Sequence, residues 1–248
     1  MKESPNQSIS RGIQILRAAA SSPDGLSVQE MAELLQVSRP TAHNLATTLH
    51  HEQFLSKHSK PVRYSIGPEP ARIAAEAQCH QRQQKAKALM LQFAKDYPET
   101  GWVFTEAGAD EMRILLRLDF KRPTIVERVD REVSHPYDAA TALIFHAFAD
   151  EPRAEALRRR FPFPEFGRSV FETRENFQDA LKEIRKNGYV TKPWFSRREL
   201  GAVAVPIFNR DHTLTGAIGA FFPIERFDEN SGPVLKTLLK SAIQLGKI

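Results

Sequence analysis

Ser27 and Ser38 constrain this chain most, because each opens a short amphipathic helix and only a tight turn separates the two. Ser27 and Glu30, three positions on, form a capping box, which predicts a helix from Val28 with Val28, Met31, Ala32 and Leu35 inward. Gln36-Val37 turns the chain. Ser38 then caps a further helix running to about His51, with Pro40 tolerated in its first turn and Ala42, Leu45 and Leu49 inward. Upstream, Ile9, Ile13, Leu16 and Ala20 share one helical stripe, predicting a first helix from Ser8 or Ile9 to about Ala20. Two short helices around a tight turn make a helix-turn-helix, with Ala32 at the crossing and Val37 between the helices.

The next segment extends that reading. Phe54-Leu55-Ser56 and Arg63-Tyr64-Ser65-Ile66 read as strands around a turn at His58-Ser59-Lys60-Pro61, stopped by Gly67-Pro68. A β-hairpin directly after a helix-turn-helix is a wing. Residues 36–63 hold Arg39, Lys57, Lys60 and Arg63 against one acid, Glu52, a local basic patch in a chain of net charge +5. The candidate DNA contacts are Ser38, Arg39, Thr41, His43, Asn44 and Thr47 on the recognition helix and Lys57, Lys60 and Arg63 on the wing. Arginine pairs bidentately with guanine and asparagine with adenine, while wing cations suit phosphate.

Residues 68–98 read as helical with a break near Cys79–Gln81, and 68–82 as a connector. From 101 the period changes to that of strands: Trp102–Thr105 and Met112–Leu118 around Gly108-Ala109-Asp110, then Tyr189–Phe195, Gly201–Phe208 and Leu214–Phe221. Helices are expected over Ala139–Ala149, Glu151–Arg160, Thr173–Asn187 and from about Pro233 to Leu245. Helices beside an antiparallel sheet make the whole an α+β chain. The expected domains are 1–67, a winged helix-turn-helix; 68–82, a linker helix; and 83–248, an effector domain.

The 248 residues include one cysteine, Cys79, so no internal disulfide forms and no cysteine metal knuckle is present. The polar start lacks the apolar core of a signal peptide, and no apolar run is long enough for a membrane span. The expectation is a cytoplasmic protein without membrane contact, metal or cofactor. GxSxG, P-loop, HExxH and GxGxxG patterns are lacking, which argues against an enzyme. Adjacent side chains on a helix point about 100° apart, so His50-His51-Glu52 reads as a solvated helix end and not a metal site. His146 reads as a structural core histidine.

In order and spacing, these pieces resemble the IclR-type bacterial transcriptional regulators. Ser8–Leu16 is similar to that family's opening helix, Ser27–Leu55 to its helix-turn-helix, and Arg63-Tyr64-Ser65-Ile66-Gly67-Pro68 to the close of its wing. Gly188-Tyr189 and Ala204-Val205-Pro206-Ile207-Phe208 resemble a strand pair of its effector domain. The resemblance implies a winged helix joined by a linker helix to a GAF-like ligand-sensing domain, assembled as a homodimer or tetramer on near-palindromic double-stranded operator DNA. Pro40-Thr41 replaces the family's usual Ser-Thr, and Asn44 a commonly basic position, so an operator sequence does not carry over.

The family's small-acid sensors use an acid, a cysteine and two serines in the effector pocket. The matching positions are Lys192, Ala202, Gly219 and Phe221, and Ile144 stands where a glycine is usual. The expected effector is therefore an organic acid larger and more apolar than a two- or three-carbon keto acid, aromatic or otherwise unsaturated. Trp102, Tyr137, Trp194 and Phe221 are its expected aromatic walls, Lys192 or His135 its charge partner, and Ala142 and Leu143 further lining. Two other readings stand: an effector domain that only oligomerises, and an enzyme with a winged-helix interaction module.

Overall fold

The computed structural model describes residues 5–108, 111–123, 126–193 and 199–248. The chain divides into two compact units, Met1–Cys79 and His80–Ile248.

In the first unit, α1 (Gln7–Ala20) is capped by the Asn6 side chain, which accepts the N–H groups of Ser8 and Ile9. The capping box of α2 (Val28–Leu35) is complete: Glu30 N–H donates to Ser27 Oγ at 3.2 Å, and Ser27 N–H to Glu30 Oε2 at 2.7 Å. Gln36 adopts φ 52°, and the chain turns into α3 (Arg39–His51), whose first turn Ser38 caps through Thr41 N–H. Strands β1 (Leu55–Ser59) and β2 (Val62–Ile66) pair from Leu55↔Ile66 to Ser59↔Val62 around Lys60-Pro61. Ile15, Met31, Ala42, Ala46, Leu55 and Tyr64 are buried together as the core. Gly25, at φ 71°, fits where a Cβ would come within 2.7 Å of the Tyr64 carbonyl oxygen, and this closeness lets Leu26 bridge Tyr64 by two 2.8 Å bonds.

The structure corrects two expectations. The Ile9, Ile13, Leu16, Ala20 stripe is not the buried one; Gly12, Ile15 and Ala19 are. The buried stripe of α1 carries Gly12, Ile15 and Ala19, and Ile9 is left 64% and Ile13 45% exposed. The break near Cys79–Gln81 is also absent, because α4 runs unbroken from Glu69 to Asp96. Its Ala, Gln, Lys, Leu and Met content favours helix throughout; the polar run at 79–81 marks exposure, not an end.

The second unit contains a six-stranded antiparallel sheet in the order β5-β4-β3-β8-β7-β6. The strands are β3 (Gly101–Ala107), β4 (Met112–Leu118), β5 (Val126–Glu132), β6 (Val190–Pro193), β7 (Leu200–Phe208) and β8 (Leu214–Pro223). The helices are α5 (Ala140–Phe148), α6 (Glu151–Arg160), α7 (Phe163–Phe166), α8 (Arg168–Phe171), α9 (Arg174–Asn187) and α10 (Phe227–Gly246). Strand β5 carries alternating charge and gave no apolar signal, and α7 and α8 are one turn each; none was expected. Helix α10 begins at Phe227 and carries Pro233 inside it, where the sequence reading took the proline as a start.

Register decides which face each side chain takes. Val103, Gly219 and Ala204 pair across β3, β8 and β7, as do Gly101, Phe221 and Ala202 one step along. These residues face α5, where the Thr105 hydroxyl donates to that of Thr141 at 3.2 Å. The opposite face packs Trp102 against Phe93 and Tyr97, with the Tyr97 hydroxyl 2.8 Å from Thr237 Oγ1 on α10.

Candidate functional site

Helix α3 presents Arg39, His43, Asn44 and Thr47 to solvent, opposite buried Ala42 and Ala46. Ser38 is exposed as well, while Thr41 is half-buried, its hydroxyl 2.8 Å from Ser38 Oγ. Asn44 lies on the flank nearest α1, where it lines an open groove with Ile9, Ile13 and Leu45. His50 Nδ1 lies 3.0 Å from the Leu55 carbonyl and ties the end of α3 to the wing. Lys57 and Lys60 are exposed on the wing.

Arg63 is placed differently from the other wing cations. Its Nε donates to the Asp24 carbonyl at 2.9 Å and its Nη2 to the Gly25 carbonyl at 2.8 Å. The same Nη2 meets Glu30 Oε2 at 3.0 Å. Glu30 accepts from Ser27 N–H and the Ser27 hydroxyl as well as from Arg63, and these bonds hold its carboxyl down at about 2. Arg63 thus clasps the wing to the start of α2, and its donors serve the fold ahead of a phosphate.

A cavity of about 100 Å³ opens in the second unit between the sheet and the first turn of α5. Ala202, Gly219, Phe221 and His135 line it, as the sequence reading expected. Gly219 is there because a Cβ would stand 3.0 Å from both Thr141 Cγ2 and the Val203 carbonyl. Phe221 covers Gly101, and the Arg117 guanidinium lies 5.0 Å from its ring centroid.

Of the expected aromatic walls Phe221 lines the cavity, but Trp102 and Tyr137 do not. Trp102 pairs with Ala220, one residue out of phase with Val103 and Gly219, so it lies on the opposite face. Tyr137 is buried in the α5 core, donating to the Phe161 carbonyl at 2.8 Å and stacked on His146 at 4.8 Å. Burial raises the Tyr137 hydroxyl and lowers the His146 imidazole to about 4. Ala142 and Leu143 are buried in α5 and do not line the cavity. Lys192 stands in register with Ala202, but its side chain lies outside the described residues, as does Trp194.

Sequence reasoning missed Arg117 on β4, Arg131 on β5, and Ala139, Ala140 and Thr141 at the start of α5. Ala139 has extended N-cap geometry and its side chain makes no cap hydrogen bond to α5, whose first turn, from Ala139 to Thr141, lines the cavity. The signal for Arg117 was a cation at an inward position of an apolar strand. Arg131 left no signal, because the strand that carries it was not foreseen.

No helix among the described residues is long and apolar enough to cross a membrane. The IclR helix-turn-helix domain matches residues 8–59, and the bacterial transcriptional regulator IclR C-terminal domain matches residues 123–246. The HTH-type transcriptional regulator XynR of Escherichia coli is 22% identical over 90% of this chain and 88% of its own length. A glycerol operon regulatory protein of Streptomyces coelicolor is 25% identical over 89% and 86%. Among solved structures, Thermotoga maritima IclR superposes with TM-score 0.54 at 19% identity, covering 96% of this chain and 98% of that one. An IclR homologue of Microbacterium hydrocarbonoxydans, complexed with 4-hydroxybenzoate, gives 0.55 at 18% identity, covering 96% and 97%. With a winged helix-turn-helix and an antiparallel effector sheet matched in chain order, the protein belongs to the IclR family of DNA-binding bacterial transcriptional regulators and is not an enzyme.

Proposed function

We propose that this regulator binds a near-palindromic operator as a homodimer or tetramer in the cytoplasm and changes its DNA affinity when an organic acid enters the effector cavity. The cavity at the uncapped start of α5, flanked by Arg117 and floored by Ala202, Gly219 and Phe221, carries the reading. Guanidinium and helix N–H groups suit an anion, and the floor suits an apolar body. The neighbour that holds 4-hydroxybenzoate supports a small organic acid as the class. Arg39, His43, Asn44 and Thr47 read bases, and Lys57 and Lys60 hold phosphate.

Binding of wild type, Arg39→Ala and Lys60→Ala to operator and random duplex tests the DNA half. Arg39→Ala is expected to lose about 1–3 kcal/mol on operator and to relax one base position. Lys60→Ala weakens both duplexes alike. Equal losses on both duplexes for both variants would remove Arg39 from base reading. Melting-temperature shifts over a panel of acids test the sensing half, since a ligand stabilises by RT ln(1 + [L]/Kd).

A further inference from the structure

The lining of the effector cavity has an unusual charge balance. It includes two guanidiniums, Arg117 and Arg131, and the His135 imidazole, yet no aspartate or glutamate among its described residues. The two arginines enter from different places. Arg131 stands opposite Ile114 in the β4–β5 ladder, whereas Arg117 is three residues further along β4 and in register with Val103. At about 3.3 Å per residue, their backbone positions lie roughly 7–10 Å apart along the sheet. Arg117 is held by the Phe221 ring and by a long, 3.4 Å contact to Asp119. That contact is too stretched to satisfy the guanidinium fork. Its side chain is only 25% exposed, so a carboxylate that reaches it is partly withdrawn from water.

Both arginines border one space of about 100 Å³, smaller than the ~150 Å³ cavity that admits a benzene ring. A short ligand therefore meets both. A ligand with one acid group satisfies one guanidinium, and the floor offers no side-chain hydrogen bond to anything between them. Resting on the reading of this cavity as an acid sensor, we infer that its effector is a short dicarboxylate, one carboxylate at Arg117 and the other at Arg131, with its carbon chain over Ala202, Gly219 and Phe221. The selectivity comes from the charge separation along β4, not from the floor.

Calorimetry on the full chain with succinate, glutarate and adipate against propionate, butyrate and benzoate tests this. The best diacid is expected to bind about ten-fold or more tighter than any monoacid, as one added charge-assisted pair implies. Arg117→Gln and Arg131→Gln should each abolish that preference, reducing the best diacid to the affinity of a monoacid, while leaving the unliganded affinity for DNA unchanged. Arg113→Gln on the same strand, which does not line the cavity, should keep it. Monoacids that match diacids in the wild type overturn the inference but leave the acid-sensor reading standing. So does a diacid preference that survives both glutamine variants. Tighter binding of methyl phosphate, a dianion with one head, overturns the two-ended arrangement. If no acid of any kind binds, the sensor reading itself falls.

Discussion

Helices α3, of 13 residues, and α5, of 9, are opposite in treatment. Helix α3 is capped by Ser38, exposed over much of its surface, and packed through Ala42 and Ala46. Helix α5 is buried from Ala140 to Ala147 and begins at Ala139 with no side-chain cap. An exposed helix end can be satisfied by water, so a capping serine there chiefly sets where the helix starts. Helix α5 starts without such a cap, beside the cavity that Arg117 and Arg131 line.

Salt gives the largest contrast. With Arg63 engaged in the fold, about three or four phosphate contacts remain per protomer. A dimer should then show a log–log slope of DNA affinity against salt of roughly −5 to −7, at ~0.9 per contact. Titration of operator binding across salt checks this, and a slope near −2 would mean that α3 and the wing are not the contact surface. Acid binding at the partly enclosed α5 cavity should depend on salt much less steeply.

Acid sharpens the contrast from the other side. In the unfolded chain His146 takes a proton near pH 6.5, but in the fold it stays neutral down to about 4. Unfolding therefore binds a proton between those values. Stability is lost as pH falls from about 6.5 to about 4 and does not change further on this account below that. The loss is ~3 kcal/mol. His146→Phe should flatten that part of the curve, measured by denaturant unfolding at stepped pH. An unchanged difference between pH 7 and pH 4 would show that the imidazole is not held neutral.

The smallest effects separate the two helix starts. Ser38→Ala should cost ~1 kcal/mol of unfolding free energy through the lost cap, without altering acid binding. Ala139→Ser should do the reverse, adding ~0.5–1 kcal/mol of stability as its hydroxyl caps α5, while weakening the acid that competes for the same N–H groups. Thermal unfolding and calorimetry on both variants decide it. Tighter acid binding by Ala139→Ser would mean that those groups are not part of the site.

Much of the first unit was legible because its signals are local. The Ser27 and Ser38 caps, the Gln36-Val37 turn and the hairpin each depend on residues a few positions apart. What failed there was a choice between faces: α1 has two stripes, and the one that is buried, with Gly12, Ile15 and Ala19, has fewer large aliphatic side chains than the one outside. In the second unit the failures are non-local. Trp102 and Val103 are neighbours in sequence, yet only pairing with β8 decides which of them faces α5. Ala202, Gly219, Phe221 and His135 were found through the resemblance. Arg117 and Arg131 depend on a ladder between β4 and a charged strand that no hydrophobic pattern announced.

The Arg63 clasp has a kinetic meaning. Strand β2 is bound on one side by β1 and on the other by the Leu26–Tyr64 bridge, and Arg63 adds bonds to the turn before α2 and to Glu30 within it. The wing cannot swing away unless the first turn of α2 opens too. Amide protons of the hairpin and of the first turn of α2 are therefore expected to exchange with solvent in one shared opening, so that the support of the wing is part of the scaffold that also positions α3.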